Sequence, residues 1–425
     1  MAMTPSNGRP DPPRTKEGAA VPAAEAKGPG EAVRAVVIPA HGVRPLVSVV
    51  IPAYNAERFI GRTLDSLLAQ TYPNFEAIVV DDGSTDTTAA IVEEFARRDR
   101  RIRLHRQQQG GASRARNAAI GLARGPLVAP LDADDVWTET KLADEVAAMA
   151  ASGPEVGLVY SWSRIIDEEE RPVAEIAHTK NGDVLAELAS TNFIGNGSAP
   201  MMRTDLVRKL GGYSTELQDR CEDWDLYLRI AEGHEFRCVP RVCVGYRQGL
   251  GGLSADYRKM EHGFRVMRRR LRERRPDLPH SLSRTSASLF FFYLAQKSAV
   301  QGHYGRTLRY LLTTLLEDPM RIISRQYYGE LGKWLIRVVS LPVTRYLWSD
   351  QRRWGQLRRS MARSLARDTG AGGWHHEAAP EVAVRLGGYD ALMNRRLEAW
   401  KKAFTMRYAP VRAEPQVPAG RVAAL

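Results

Sequence analysis

Cysteine is nearly absent. The 425 residues include 3, Cys221, Cys238 and Cys243. None stands in CxxC spacing, which argues against a disulfide framework and against a cysteine-built zinc site. A reduced, cytoplasmic setting is the expectation. No HxxxH pattern occurs, and the adjacent His375 and His376 read as solvated. No stretch reaches the about 18 uncharged apolar residues a membrane-spanning helix needs. Met1–Gly30 is rich in Pro, Ala and Gly and has no apolar centre, so it does not read as a secretory leader. Internal repeats are lacking, and so are the regular heptads of a coiled coil. These absences leave a protein expected to be soluble or peripherally bound.

What is present is a hydrophobic content of 44% and a net charge of +12. The first suffices for one sizeable core plus a smaller domain. The second points to an anionic partner: a membrane surface, a nucleotide or a nucleic acid. Residues 1–45 cannot bury enough apolar surface to offset chain entropy and are expected to be disordered. Val33 to Pro39 is a short apolar exception.

From there the chain alternates. Val47-Ser48-Val49-Val50-Ile51 reads as a strand covered on both faces. It stops at the turn residues Pro52-Ala53-Tyr54-Asn55. Ile60, Leu64, Leu67 and Leu68 share one helical face. Phe75 to Val80 is a second strand, broken at Asp81-Asp82-Gly83-Ser84-Thr85-Asp86, where Asp86 caps the next helix. That helix packs through Ile91 and Phe95. Arg101 to Arg106 is a half-exposed third strand. Gly110-Gly111-Ala112-Ser113 opens an Ala-rich helix bearing Arg114, Arg116 and Asn117. A fourth strand, Pro126 to Ala129, runs into Pro130-Leu131-Asp132-Ala133-Asp134-Asp135. The order β-α-β-α-β-α-β predicts an α/β fold with a parallel sheet and right-handed crossovers. Ligands of such sheets bind at the carboxyl ends of the strands, where the turns at Asn55, Asp81–Asp86 and Asp132–Asp135 all fall.

Three carboxylates within four residues repel one another unless a cation sits among them. Hard oxygen ligands suit Mg2+ or Mn2+. An acidic cap on the following helix is the alternative. Further on, Leu142, Val146 and Met149 mark a helix, Val156 to Trp162 a strand, Asn192 to Met202 a loop and strand, and Asp205 to Leu210 a short helix. Cys221-Glu222-Asp223-Trp224-Asp225 places acids at a helix N-terminus. Val239 to Tyr246 is a last strand.

Five strings together resemble family 2 glycosyltransferases, the large inverting group with the GT-A fold. They are Val50 to Glu57, Val79 to Asp86, Gly110 to Asn117, Leu131 to Asp135 and Glu222 to Leu226. The resemblance covers about half the chain, from about Leu46 to Ser254. It implies a Rossmann-like, mostly parallel sheet flanked by helices, followed by a smaller helical C-terminal region. It also implies a nucleoside-diphosphate sugar donor, UDP-linked among others, with Pro52, Tyr54 and Glu57 lining the nucleoside site. Asp81 or Asp82 would accept a hydrogen bond from the base, and Arg114 or Arg116 would face the nucleotide. Asp132 and Asp134 match the metal motif, Asp134 being the better direct ligand, while Asp135 has the weaker claim and serves as a cap. Pro130 departs from the bulky apolar residue usual there and suggests an irregular strand. Asp223 matches the general base that removes the acceptor hydroxyl's proton in an in-line displacement. Trp224 is read equally as a stacking platform and as core. Tyr246-Arg247 resembles a closing element in which Arg247 would contact diphosphate.

The sequence therefore reads as residues 1–45 disordered, 46–256 catalytic, 257–368 basic and helical, and 369–425 loosely structured apart from a helix near Ala391 to Phe404. The expected activity is metal-dependent hexosyl or N-acetylhexosaminyl transfer to a hydroxyl of a glycan or lipid-linked acceptor, in cell-surface polysaccharide or glycoconjugate synthesis. Arg265 to Arg275, with the apolar segments beyond it, suggests peripheral association with an anionic membrane, at its inner face, rather than nucleic-acid binding. Two alternatives stand beside this. One is a non-catalytic sugar-nucleotide-binding scaffold at the membrane. The other is a nucleotidyltransferase, whose Gly-rich loop after the first strand is not matched by Pro52-Ala53-Tyr54-Asn55.

Overall fold

The computed structural model describes residues 44–217, 220–248, 256–339 and 388–407. The expected N-terminal disorder falls on residues 1–43, outside the described residues. So do the tail beyond 407 and the apolar stretch from 340 onward. Arg44 and Pro45 are already held, their carbonyl oxygens accepting Asn74 Nδ2 and Tyr72 Oη at 2.6 Å each.

Four parallel strands form the first half of the sheet: β1 (Val47–Ala53), β2 (Phe75–Asp81), β3 (Ile102–Arg106) and β4 (Leu127–Pro130), in the order β3-β2-β1-β4. Helices α1 (Ile60–Leu68), α2 (Thr88–Arg98) and α3 (Ala112–Leu122) make the crossovers. Val47, Val49, Val50 and Ile51 are fully buried, as a strand covered on both faces requires. Each such side chain contributes about 1.5–3 kcal/mol of burial. α1 buries Ile60, Leu64 and Leu67. α2 turns Val92 and Phe95 inward, while Ile91 is only partly covered.

β4 then meets a strand running the other way. Beyond the two-residue β5 (Val136–Trp137), α4 (Lys141–Ala150) leads to β6 (Val156–Ile166), longer than the sequence suggested, and to its exposed antiparallel neighbour β7 (Pro172–Ile176). After α5 (Leu185–Ser190), β8 (Pro200–Arg203) pairs antiparallel with both β4 and β6, closing the gap between the two halves. α6 (Thr204–Lys209) and α7 (Glu222–Ala231) precede β9 (Glu235–Arg247), which lies parallel to β6 and antiparallel to β5. Strand β7 and helix α5 had no periodic signal: β7 is exposed along most of its length and α5 is buried on every side.

Pro130 does not disturb the ladder on its β1 side. It lies opposite Val50, and Leu131 N donates to Val50 O at 3.0 Å. Its missing N–H falls on the β8 side, where pairing has ended at Val128.

Four helices follow: α8 (Tyr257–Arg274), α9 (His280–Val300), α10 (Tyr304–Glu317) and α11 (Arg325–Val339), and α12 (Gly388–Arg407) closes the described chain. α8 buries Phe264, Met267 and Leu271. Three of its arginines are spent inside the molecule, while Arg258, Arg265, Arg269 and Arg272 stay exposed. Arg270 meets Ser214 and Glu216, Arg274 meets Asp225 and Glu232, and Arg268 meets Ser283 and Glu317. The run that suggested a lipid-facing surface thus divides: Arg268, Arg270 and Arg274 form an ion-paired seam, and Arg265, Arg269 and Arg272 face outward. No described helix is long and apolar enough to cross a membrane.

Candidate active site

The carboxyl edge of β1, β2 and β4 carries the polar turns. After β1, Asn55 takes a left-handed φ of 47°. The loop is zipped to the one after β2. Asn55 N donates to Ser84 Oγ, Thr85 N to Asn55 Oδ1, Ala56 N to Thr88 Oγ1, and Glu57 N to Asp86 Oδ2. Glu57 answers by accepting Thr87 N and Oγ1 at 3.0 and 2.7 Å. Glu57 thus braces two loops, and Asp86 caps α2 through Thr88 N. Pro52 is half-buried, and Tyr54 two residues on is 45% exposed.

Asp81 and Asp82 are both buried but differ in their partners. Asp81 accepts Ser84 N, and its second oxygen lies 3.4 Å from Arg106 Nε. Asp82 accepts Gln107 Nε2 and the backbone N–H groups of Gly110 and Gly111 at 2.7–2.8 Å. It therefore ties the end of β2 to the start of α3. Arg114, one turn in, is exposed and folds over Gly110.

The acidic loop after β4 splits. Asp135 is fully buried, accepting Ser198 Oγ at 2.5 Å and Arg247 N at 2.8 Å. Burial first, then the charges of Asp134 and Asp132, push its carboxyl well above the usual range. Asp132 and Asp134 remain half-exposed. Burial, then the neighbouring Asp132, raises Asp134 to about 6. Among the described residues no group of three or more His, Cys, Asp or Glu is arranged to hold a metal ion. The loop offers a pair, and the pair fits a divalent cation in charge and ligand hardness. Glycine keeps space beside it: a Cβ on Gly197 would lie 3.2 Å from Asp132 Oδ2.

Arg116 brings the distant part of the chain to this loop. Its guanidinium is buried, donating to Asp132 Oδ1 at 2.6 Å and to Glu222 Oε1 at 2.7 Å. Both groups face protein carboxylates, so of the two candidates for the nucleotide Arg114 keeps the exposed one. Glu222 opens α7, and Asp223 follows it. Asp223 accepts Trp224 N at 2.7 Å and Asn192 Nδ2 at 3.5 Å. Burial, then the charge of Glu222, raises it to about 7. That leaves a carboxyl poised near neutrality within electrostatic reach of Asp132.

Two open readings close. Trp224 is core: its indole N–H donates to Leu188 O, and its ring lies 5.7 Å from Phe264 and 6.2 Å from Phe290. Arg247 does not face a diphosphate. Its guanidinium donates to the carbonyls of Asp134, Asp167 and Glu168 and to Glu170, and lies over Phe59. It fixes the backbone of the acidic loop. Sequence reasoning missed Ser198, Asn192 and Gln107, which orient the carboxylates. Of these only Ser198 left a trace, the turn chemistry of Gly195-Asn196-Gly197-Ser198.

A profile of Glycosyl transferase family 2 matches residues 48–211. UDP-Glc:alpha-D-GlcNAc-diphosphoundecaprenol beta-1,3-glucosyltransferase WfgD of Escherichia coli is 44% identical over 215 residues, 50% of this chain and 80% of that protein. Chondroitin synthase of Escherichia coli is 29% identical over 227 residues, 52% of this chain but 32% of that protein. The chain thus spans about a third of that longer relative. The crystal structure of S. aureus TarS 1-349 in complex with UDP-GlcNAc overlaps 71% of this chain and 91% of that one, at 18% identity and a TM-score of 0.47.

Proposed function

This chain belongs to glycosyl transferase family 2, and on that premise we propose that it transfers a sugar from a nucleoside diphosphate to a hydroxyl, with inversion. One observation carries the reading. A carboxyl raised to about 7, Asp223, is tied through Glu222 and Arg116 to the acidic pair at the end of β4. In the reaction the acceptor oxygen forms a bond to the anomeric carbon while its proton passes to Asp223. The bond from that carbon to the phosphate oxygen breaks, and its electron pair leaves on the diphosphate. Asp132 and Asp134 would hold a Mn2+ or Mg2+ ion, which supplies Lewis-acid charge for the departing group. Tyr54 and Arg114 are the exposed side chains on the rim that suit a base ring and a phosphate.

UDP-glucose and UDP-N-acetylglucosamine are the first donors to try, given the names of WfgD and of the TarS complex. A lipid-linked diphosphate glycan is the first acceptor on the same ground. Peripheral attachment to an anionic membrane belongs to this reading. Its support lies in the exposed Arg265, Arg269 and Arg272 of α8 and in the exposed Leu312, Leu316, Ile322 and Ile323 further along the chain. Co-sedimentation with phosphatidylglycerol vesicles at low salt tests it, and protein left in the supernatant removes it.

The reaction itself is tested by incubating the full chain with UDP-glucose, UDP-N-acetylglucosamine and GDP-mannose, with and without Mn2+. Proton NMR of the freed sugar should first show the β-anomer from the α-linked donor. First appearance of the α-anomer would exclude inversion.

A further inference from the structure

We propose that Arg116 is a positioning residue, a single buried fork that fixes Asp132 against Glu222 and so sets both the placement and the charge balance of Asp223. The inference rests on the reading of Asp223 as the base. Arg116 sits on α3, 16 positions before Asp132 and 106 before Glu222. Its side chain is 5% exposed, that of Glu222 9%. The ring of Tyr213 lies beneath the guanidinium, 5.2 Å from its central carbon.

Three elements otherwise distant in sequence meet at this one cation. α3 supplies it, the loop after β4 supplies Asp132, and the first turn of α7 supplies Glu222. A planar guanidinium can point two N–H groups at two carboxylates in different directions, which an ammonium holds far less well. With the fork in place, Asp132 has one oxygen spoken for and Glu222 is neutralised one residue from Asp223. Without it, Asp132 and the buried Glu222 lose their counter-charge, and their repulsion reaches Asp223. The groups facing Asp223 are Glu222, Cys221 and Tyr227 on and beside α7, Tyr213 before it, Asp132 from the β4 loop, Asn192 from the segment after α5, and Arg116 itself. Arg116 is the cation that most directly offsets the acids. A residue that only filled space on α3 would leave that balance untouched.

The test needs no substrate. Full-length protein labelled with carboxyl-13C aspartate gives an Asp223 resonance, assigned by its loss in Asp223→Asn. In the wild type it should titrate near 7. Arg116→Gln should move the midpoint up by at least about half a unit, and Glu222→Gln should move it down. Should Arg116→Gln fail to fold, Arg116→Gln/Glu222→Gln carries the same comparison, because its midpoint should lie above that of Glu222→Gln alone. Equal midpoints with and without Arg116, while the wild type still titrates near 7, overturn the role of Arg116 and leave the base standing. A wild-type midpoint near 4 overturns the base instead.

Discussion

Asp223 stands in the first turn of α7, where the dipole favours a charged acid, yet its proton affinity is raised. Partial burial and the charge of Glu222 win over the helix end. The same conflict marks Asp134. Both midpoints rise on folding, so both groups favour the native state in their protonated form. That stability is fully present below the unfolded value near 4 and is lost as pH climbs through about 6 for Asp134 and about 7 for Asp223. Asp223→Asn should therefore be more stable than the wild type at pH 8, by about 1–3 kcal/mol. The difference should shrink at pH 5. Urea denaturation at both values checks the sign, and a variant less stable at pH 8 would contradict it. Asp134→Asn has a second consequence. Mn2+ should raise the melting temperature of the wild type by mass action and leave this variant unmoved.

These residues were legible because their types are chemically unusual in runs. Asp132, Asp134 and Asp223 stand in acidic clusters that cost free energy unless something uses them. Arg116 was legible only as a cation on a helix. Its partner Glu222 is 106 positions away, and nothing in a helical stripe shows which face meets it. Arg247 misled for the same reason, since an arginine donating to three carbonyls looks in sequence like one waiting for a phosphate.

Among the elements, α8 shows what periodicity can and cannot give. Phe264, Met267 and Leu271 formed a visible stripe, and they are buried. Arg270 and Arg274 pair with acids on α7 and near it, which no local pattern encodes. α8 also leans on the start of α7. A Cβ on Gly263 would lie 2.5 Å from Arg220 O, just ahead of Cys221 with its left-handed φ of 60°. Gly263→Ala should cost about 1–3 kcal/mol through overpacking. Phe264→Ala, which removes a ring stacked at 4.0 Å on Phe290, should cost about 3–5 kcal/mol. Urea midpoints measure both, and a neutral Gly263→Ala would mean that α8 can move away from the base helix.

Across the whole molecule, three β-α units and a fourth strand dictated a parallel half-sheet, and right-handed crossovers placed its polar turns on one edge. The second half was harder to read. β8 runs against its neighbours, β7 is exposed, and β6 and β9 extend well past their apolar centres. Such strands are defined by their partners rather than by their own composition. Yet this half delivers α7, and with it the second wall of the site.

The most direct measurement compares turnover of a UDP-sugar by the wild type and by Asp223→Asn, with UDP affinity measured on both. The account predicts a rate lower by about 10²–10⁴-fold with UDP binding unchanged. Equal turnover in the two proteins would contradict it.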